Sequence, residues 1–267
     1  MKRMLLLMMM VSASFAGCKS DSNDEPTNPS NDGYVLVWSD EFDYTGLPDE
    51  SKWLFEEGGH GWGNDEEQYY TSKRLENARV ENGKLIITAL KESYNGSDYT
   101  SARLNSDKMK RNYWTYGKFV IRAKLPKGVG TWPAIWMLAS TDTYGDSYWP
   151  DNGEIDIMEH VGYDQGKIHA STHTLAYNHK IGTQRTSTVD ITDCSDTFHD
   201  YTVVWEENKI EAYVDNYKYF EFVKQEGDTW KEWPFDRPFH IILNIAIGGG
   251  WGGVQGIDDS IFPQTME

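Results

Sequence analysis

The chain has 267 residues, 39% hydrophobic, 14% aromatic and 25% charged, and its 42 acids against 25 Lys and Arg leave a formal net charge of −17. That length suffices for one large β domain or two small ones with a sizeable core, and the composition excludes wholesale disorder. The acid excess argues against nucleic acid and anionic lipid headgroups as partners, and disfavours a sulfated substrate relative to a neutral one. Eleven Trp and sixteen Tyr are more rings than core packing requires, so some are expected as flat binding surfaces.

The chain opens with Lys2 and Arg3, an apolar run from Met4 to Val11, and then Phe15-Ala16-Gly17-Cys18. A run this short cannot span a bilayer, which needs about 20 residues, so residues 1–17 read as a removable leader. Small residues directly before a cysteine resemble a bacterial lipobox, which implies lipidation at Cys18; ordinary signal cleavage is the plainer alternative. With Cys18 acylated, Cys194 has no partner and no intramolecular disulfide is expected. Residues 18–33 are Ser, Asn, Asp, Glu and Pro without large apolar side chains after the cysteine, a composition that reads as a flexible tether. The acidic run after Cys18 also resembles signals that carry lipoproteins to the outer surface. The expectation is a monomer on the outer membrane, facing outward and touching the membrane only through its lipid.

From Tyr34 onward the pattern is β. Strands are expected at 34–38, 52–56, 84–91 and 99–104. Between Tyr116 and Pro126 the alternation is clean, with Phe119, Ile121, Ala123 and Leu125 on one face and Lys118, Arg122 and Lys124 on the other. Further strands are expected at 132–138, 154–160, 167–173, 200–206 and 239–247. Residues 209–223 read as a hairpin turning at Asp215-Asn216. No long stretch has helical spacing and no repeat is present. Many short strands in one undivided stretch point to an all-β antiparallel sandwich or jelly roll.

The chemistry lies in Gly153-Glu154-Ile155-Asp156-Ile157-Met158-Glu159-His160. On a strand, Glu154 and Asp156 share one face while Ile155 and Ile157 point to the core. Strict alternation would bury Glu159 and expose Met158, and a buried unpaired carboxylate is costly. One extra residue at Ile157–Met158, a β-bulge, returns Glu159 to the acid face. Two carboxylates flanking a bond are the equipment for cleaving glycosides, one attacking the anomeric carbon and one protonating the departing oxygen. An Asp between them can orient the nucleophile and help set each proton's place. The Cα atoms of Glu154 and Glu159 would lie roughly 13 Å apart. Side chains leaning together on a concave sheet would narrow that toward the ~5–5.5 Å of retaining enzymes.

The segment resembles the Glu-x-Asp-x-x-Glu signature of family-16 glycoside hydrolases, in the bulged form of laminarinase- and lichenase-like endo-β-glucanases. Further matching pieces are Val37 to Phe42, Gly61 to Glu66 with Gln68-Tyr69-Tyr70, Thr100 to Arg103, Tyr116 to Phe119, Trp132 to Leu138 and Leu243 to Ala246, so the resemblance covers nearly all of 34–266. It implies a concanavalin A-like jelly roll with a concave cleft in residues 34–267. It also implies that Glu154 is the nucleophile, Asp156 the assisting acid and Glu159 the acid/base, with no cofactor required. Asn64, Glu66 and Arg103 match positions that hydrogen-bond glucose hydroxyls on the non-reducing side, and Asn244 falls in a matching piece and is taken as substrate-binding.

Trp132, Trp136 and Trp149 are candidate sugar platforms, with Trp149 favoured and Trp136 balanced between platform and core. His173 is assigned to the leaving-group side. His169 and His173 are about 13 Å apart on one strand face, too far to chelate one zinc ion. The run Gly248 to Gly253 follows a strand without opening a helix, so it does not read as a phosphate cradle; it reads as a cleft-edge loop presenting Trp251. The family usually continues past Phe262–Glu267 into a last core strand, absent from this sequence. That strand often carries a carboxylate for a structural calcium beside backbone oxygens near Glu41 and Gly83.

The implied function is retaining endo-hydrolysis of neutral β-1,3- or mixed β-1,3/1,4-glucan. The alternatives are an agar- or carrageenan-type galactan hydrolase, a transglycosylase of the same fold, or an inactive surface glycan-binding lipoprotein.

Overall fold

The computed structural model describes residues 33–106 and 112–267; the leader, Cys18 and nearly all of the tether lie outside the described residues. The chain divides into two units, 1–39 and 40–267. In the first, the strand expected at 34–38 is not formed. Leu36 and Val37 are 60% and 80% exposed, and β-branched residues hold a strand only where one face is covered.

The second unit is built on a seven-stranded antiparallel sheet. Its order is β1 (Leu54–Glu56), β6 (Arg103–Asn105), β15 (Phe239–Ile247), β8 (Thr131–Ala139), β9 (Glu154–Glu159), β10 (Lys167–His173) and β11 (Arg185–Asp190). A four-stranded sheet, β14 (Tyr217–Val223), β13 (Lys209–Val214), β12 (His199–Glu206) and β7 (Gly117–Ala123), packs behind β9, β10 and β11. A third sheet packs behind β15. It runs β16 (Gln264–Met266), β4 (Lys84–Tyr94), β5 (Ser97–Ser101) and β2 (Gln68–Tyr70), with β3 (Ala78–Glu81) also on β4. The result is the β-sandwich jelly roll expected. Helix is confined to the four residues Tyr148–Asp151 and two 3₁₀ turns among the described residues.

Alternation decides which face each strand buries. On β8, Trp132, Ala134, Trp136 and Leu138 face a cleft, while Ile135 and Met137 are fully buried. The core between the layers is aromatic, with Trp205 at 5.2 Å from Phe239 and Phe235 at 5.9 Å from Phe239. The hairpin of β13 and β14 turns at Asp215-Asn216 as expected, with Asp215 in the left-handed region at φ 53°. The chain's last residues form β16, paired with β4 through Gln264–Ala89, Thr265–Thr88 and Met266–Ile87.

The bulge is where the acid spacing demands it. Asp156 pairs with Trp136 and Met158 with Ile135, so Ile157 is the extra residue with no register partner on β8. On β10 the same shift falls between Ser171, opposite Asp156, and His169, opposite Glu159. Ile157 and Met158 are both fully buried, so two successive side chains point inward and Glu159 returns to the cleft face. Gly153, just before the strand, sits at φ +85°, and a Cβ there would lie 2.8 Å from Pro234 and 3.1 Å from Phe235; only glycine brings the chain this close to the aromatic core.

Deleting Ile157 should therefore leave a folded protein with regular alternation and all three acids on one face. Deleting Ile155 should reverse Glu154 relative to Asp156 and abolish cooperative folding. Circular dichroism melts of the two variants check this, and matching behaviour would overturn the bulge assignment.

Candidate active site

The cleft crosses the concave face of the seven-stranded sheet and has a volume of about 1000 Å³. Its floor takes Arg103 from β6, Asn244 from β15, Trp132 and Trp136 from β8, the three acids from β9, and His169 and His173 from β10. Each outer carboxylate receives one indole N–H. The Trp149 Nε1–H donates to Glu154 Oε2 at 2.5 Å, and the Trp132 Nε1–H donates to Glu159 Oε1 at 3.1 Å. Between them lies Asp156, 2% exposed. His173 Nε2 approaches Asp156 Oδ2 to 3.2 Å, within ion-pair range but not aligned as a hydrogen bond, since that oxygen has no hydrogen-bond partner.

Burial sets the proton positions. It is the main force pushing the Glu159 carboxyl up to about 8, with the charge of Glu154 adding to it and the Trp132 N–H partly opposing it. Asp156 is also pushed well above the usual carboxylate range, by burial first and then by the charges of Glu154 and Glu159, and by a hydrogen bond with Glu154. Three carboxylates packed together cannot all ionise in so dry a place. Burial and mutual repulsion therefore favour the neutral form at Asp156 and at Glu159. An acid held toward its neutral form and a second carboxyl stand on one cleft face, a pairing that suits glycoside cleavage.

The wall beyond β8 is a chain of hydrogen bonds. The Trp136 Nε1–H donates to Asn244 Oδ1 at 2.7 Å, Asn244 Nδ2 donates to the Tyr70 hydroxyl at 3.1 Å, and that hydroxyl donates to Glu66 Oε2 at 3.1 Å. Gln68 and Asn64 also donate to Glu66, at 2.7 and 3.2 Å; these bonds oppose the burial that raises the Glu66 carboxyl. Arg103 lies between Trp62 and Trp136, its guanidinium 4.7 Å from each ring centroid, and it is ion-paired to Glu56.

The model of glycosyl hydrolases family 16 matches residues 65–260. The chain belongs to that family. It is 52% identical over 266 residues to a β-glucanase of Rhodothermus marinus, across 98% of this chain and 90% of the relative. The laminarinase structure from Rhodothermus marinus superposes with a TM-score of 0.85 at 54% identity, covering 86% of this chain and 93% of that one. The family-16 non-specific endo-β-1,3(4)-glucanase SCLam, solved with 1,3-β-D-cellobiosyl-glucose at its active site, superposes with a TM-score of 0.83 at 44% identity, covering 91% and 94%.

All the expected family-16 site residues line the one cleft: Glu154, Asp156 and Glu159 with Asn64, Glu66, Arg103, Trp132, Trp136, Trp149, His173, Asn244 and Trp251. Three roles change. Trp149 is not an open platform: its N–H is spent on Glu154, Lys180 lies over its ring at 4.8 Å, and the His179 ring is 5.1 Å away. His173 stands opposite Glu154 in the register, and His169 stands opposite Glu159. Arg103 is 8% exposed and braces the wall. The glycine-rich loop does present Trp251, edge-on to Trp132 at 5.4 Å and to His169 at 4.9 Å. His60, Trp62, Lys180 and Thr188 also line the cleft. Sequence reasoning missed them because they lie on loops or on β11, which has no apolar alternation.

Near Glu41 and Gly83, where the resemblance implies a calcium beside backbone oxygens, no three His, Cys, Asp or Glu side chains converge among the described residues. Glu41 is exposed, and the nearby Glu267 carboxylate is ion-paired to Lys84 and Lys124. Among the described residues the group of His, Cys, Asp and Glu able to converge on one ion is Glu154, Asp156 and His173, on the cleft floor itself.

Because the charge of Glu154 helps hold the Glu159 proton, Glu154→Gln should lower the Glu159 pKa below its value of about 8. Trp132→Phe, which removes the opposing N–H, should raise it. Carboxyl ¹³C NMR titration of both variants checks the two signs, and a Glu159 that titrates as in the parent would show that the acids are not coupled.

Proposed function

We propose that this protein is a retaining endo-hydrolase of neutral β-glucan, acting on β-1,3 and mixed β-1,3/1,4 linkages. The observation that carries it is the complete acid set on the cleft floor, with Glu159 held protonated beside the Glu154 carboxylate. An inactive glycan-binding protein has no need to keep a proton there at neutral pH. The names of the glucanase relatives support the substrate class.

Each step uses groups that the cleft brings together. A glucan laid across the sheet places a glycosidic bond over β9. Glu154 Oε1, the oxygen not engaged by Trp149, attacks the anomeric carbon, while Glu159 gives its proton to the departing oxygen. Glu159, now a carboxylate steadied by the Trp132 N–H, takes a proton from water. That water attacks the same carbon and releases Glu154, restoring both acids and retaining the anomeric configuration. Asp156, driven toward its neutral form and hydrogen-bonded to Glu154, holds the nucleophile's orientation.

Charge supports a neutral polymer over a sulfated galactan. Arg103 is committed to Glu56, and Lys180, the other cation on the cleft lining, lies over Trp149. In this reading the lipidated Cys18 anchors the enzyme as a monomer on the outer membrane, with the tether holding the cleft toward the polymer.

Since burial and Glu154 raise the Glu159 pKa to about 8, the proton donor is present at neutral pH and lost as pH rises through that value. kcat/KM should therefore fall on an alkaline limb centred near pH 8, by about tenfold per unit beyond it; a flat profile to pH 10 would remove Glu159 from the acid role. Glu154→Gln should abolish turnover of every glycoside, whereas Glu159→Gln should spare substrates with an activated leaving group. Product analysis on laminarin, barley β-glucan, agarose and xyloglucan should give oligosaccharides from the first two only. Cys18→Ala should move the protein from the membrane to the soluble fraction, and an unchanged distribution would defeat the anchor.

A further inference from the structure

The sheet behind the active site carries a second bulge. Along β13 and β14, Ala212 pairs with Phe220 and Tyr213 with Lys218, which leaves Tyr219 as the extra residue. Phe220 is 3% exposed and Phe222 7% exposed, both in the core. Regular alternation would turn Tyr219 outward between them and Tyr217; the bulge turns it inward as well. Its hydroxyl crosses the layer and donates to the Ile157 carbonyl at 3.4 Å. Ile157 is the residue without a partner on β8. The extra residue of one sheet is thus bonded to the extra residue of the other.

This contact lies directly beneath the catalytic acids. The Tyr219 hydroxyl is pushed above its ordinary value by burial and then by the charges of Glu159 and Asp156, which places it within electrostatic reach of both. In so dry a layer a donor on the bulge carbonyl helps fix the backbone there. Backbone rotation at Ile157 would swing Glu159 while leaving Glu154 and Asp156, on the regular part of β9, where they are.

We infer that Tyr219 is a positioning residue for the reaction, pinning the Ile157 bulge from the opposite sheet and so fixing Glu159 relative to Glu154. The inference rests on the reading of Glu154 and Glu159 as nucleophile and acid. It differs from a plain packing role for the ring because the hydroxyl, and not the ring, does the pinning. The effect should then disappear when the bulge itself is removed.

The test compares Tyr219→Phe with the parent, both as the full chain. The ring is kept, so the melting transition and KM should stay close to the parent's. A loosened acid should cost kcat about tenfold or more, since small misplacements of reacting groups are expensive. Water reaching a freer Glu159 should also move the alkaline limb of kcat/KM to lower pH. In a chain lacking Ile157, the same substitution should change neither quantity. An unchanged kcat and unchanged alkaline limb in Tyr219→Phe would overturn the proposal, as would an equal loss with and without the bulge. Carboxyl ¹³C titration of Glu159 in the parent and in Tyr219→Phe decides the point without turnover: a lowered pKa supports the pin and an identical one overturns it. A parent that cleaves no β-glucan would sink the hydrolase reading, while this titration would still judge the pin.

Discussion

Everything in the site depends on a mismatch of periods. A strand alternates every two residues, and the acids stand at 154, 156 and 159, so one residue must be absorbed before Glu159 can join the others. Ile157 absorbs it, and the cost is a strand with two adjacent inward side chains and an interrupted ladder. The core accepts both because Ile157 and Met158 are apolar. Had either been polar, the bulge would have buried an unsatisfied group, and the acid face would have been harder to assemble.

The acids divide their labour by environment, since the two outer ones are the same residue type. Each receives an indole N–H, yet Glu159 is driven toward its neutral form by burial and by the charge of its neighbour. Asp156 lies deeper still and is driven in the same direction. Crowding like charges in a dry place is unfavourable for folding and useful for chemistry. On the surrounding walls Arg103 is neutralised by Glu56, and Lys180 lies over the Trp149 ring.

Much of this was legible in the sequence, for identifiable reasons. The clean alternation of Phe119, Ile121, Ala123 and Leu125 marked β7, and the apolar residues between the acids marked both the facing of β9 and its bulge. Periodicity failed where burial did not follow it. Residues 34–38 have strand composition but no covered face, and β11, Arg185–Asp190, is a strand with almost no apolar side chains because it is the sheet's edge. For the site, residue type found the participants but not their assignments. Nothing in the order of residues shows that Lys180 and His179 fold over Trp149, or that His173 meets Asp156; those contacts are made by loops and by neighbouring strands. Tyr219 was equally hidden, since only the register of β13 with β14 reveals that it turns inward.

The direction of the cleft has a consequence of its own. The groove runs across the strands, so Arg103, Asn244, Ala134, Glu159, His169 and Thr188 stand in line although they belong to six different strands. A polymer lying there meets a new strand about every 4.8 Å, close to the length of one sugar unit, so each strand is answerable to a different portion of the chain. Such a surface is modular: a change on β11 alters what is accepted at one end of the polymer without disturbing the ladder that holds the acids on β9. Substrate range in this architecture can therefore drift strand by strand, from the sheet's edges inward, while the chemistry at its centre stays put.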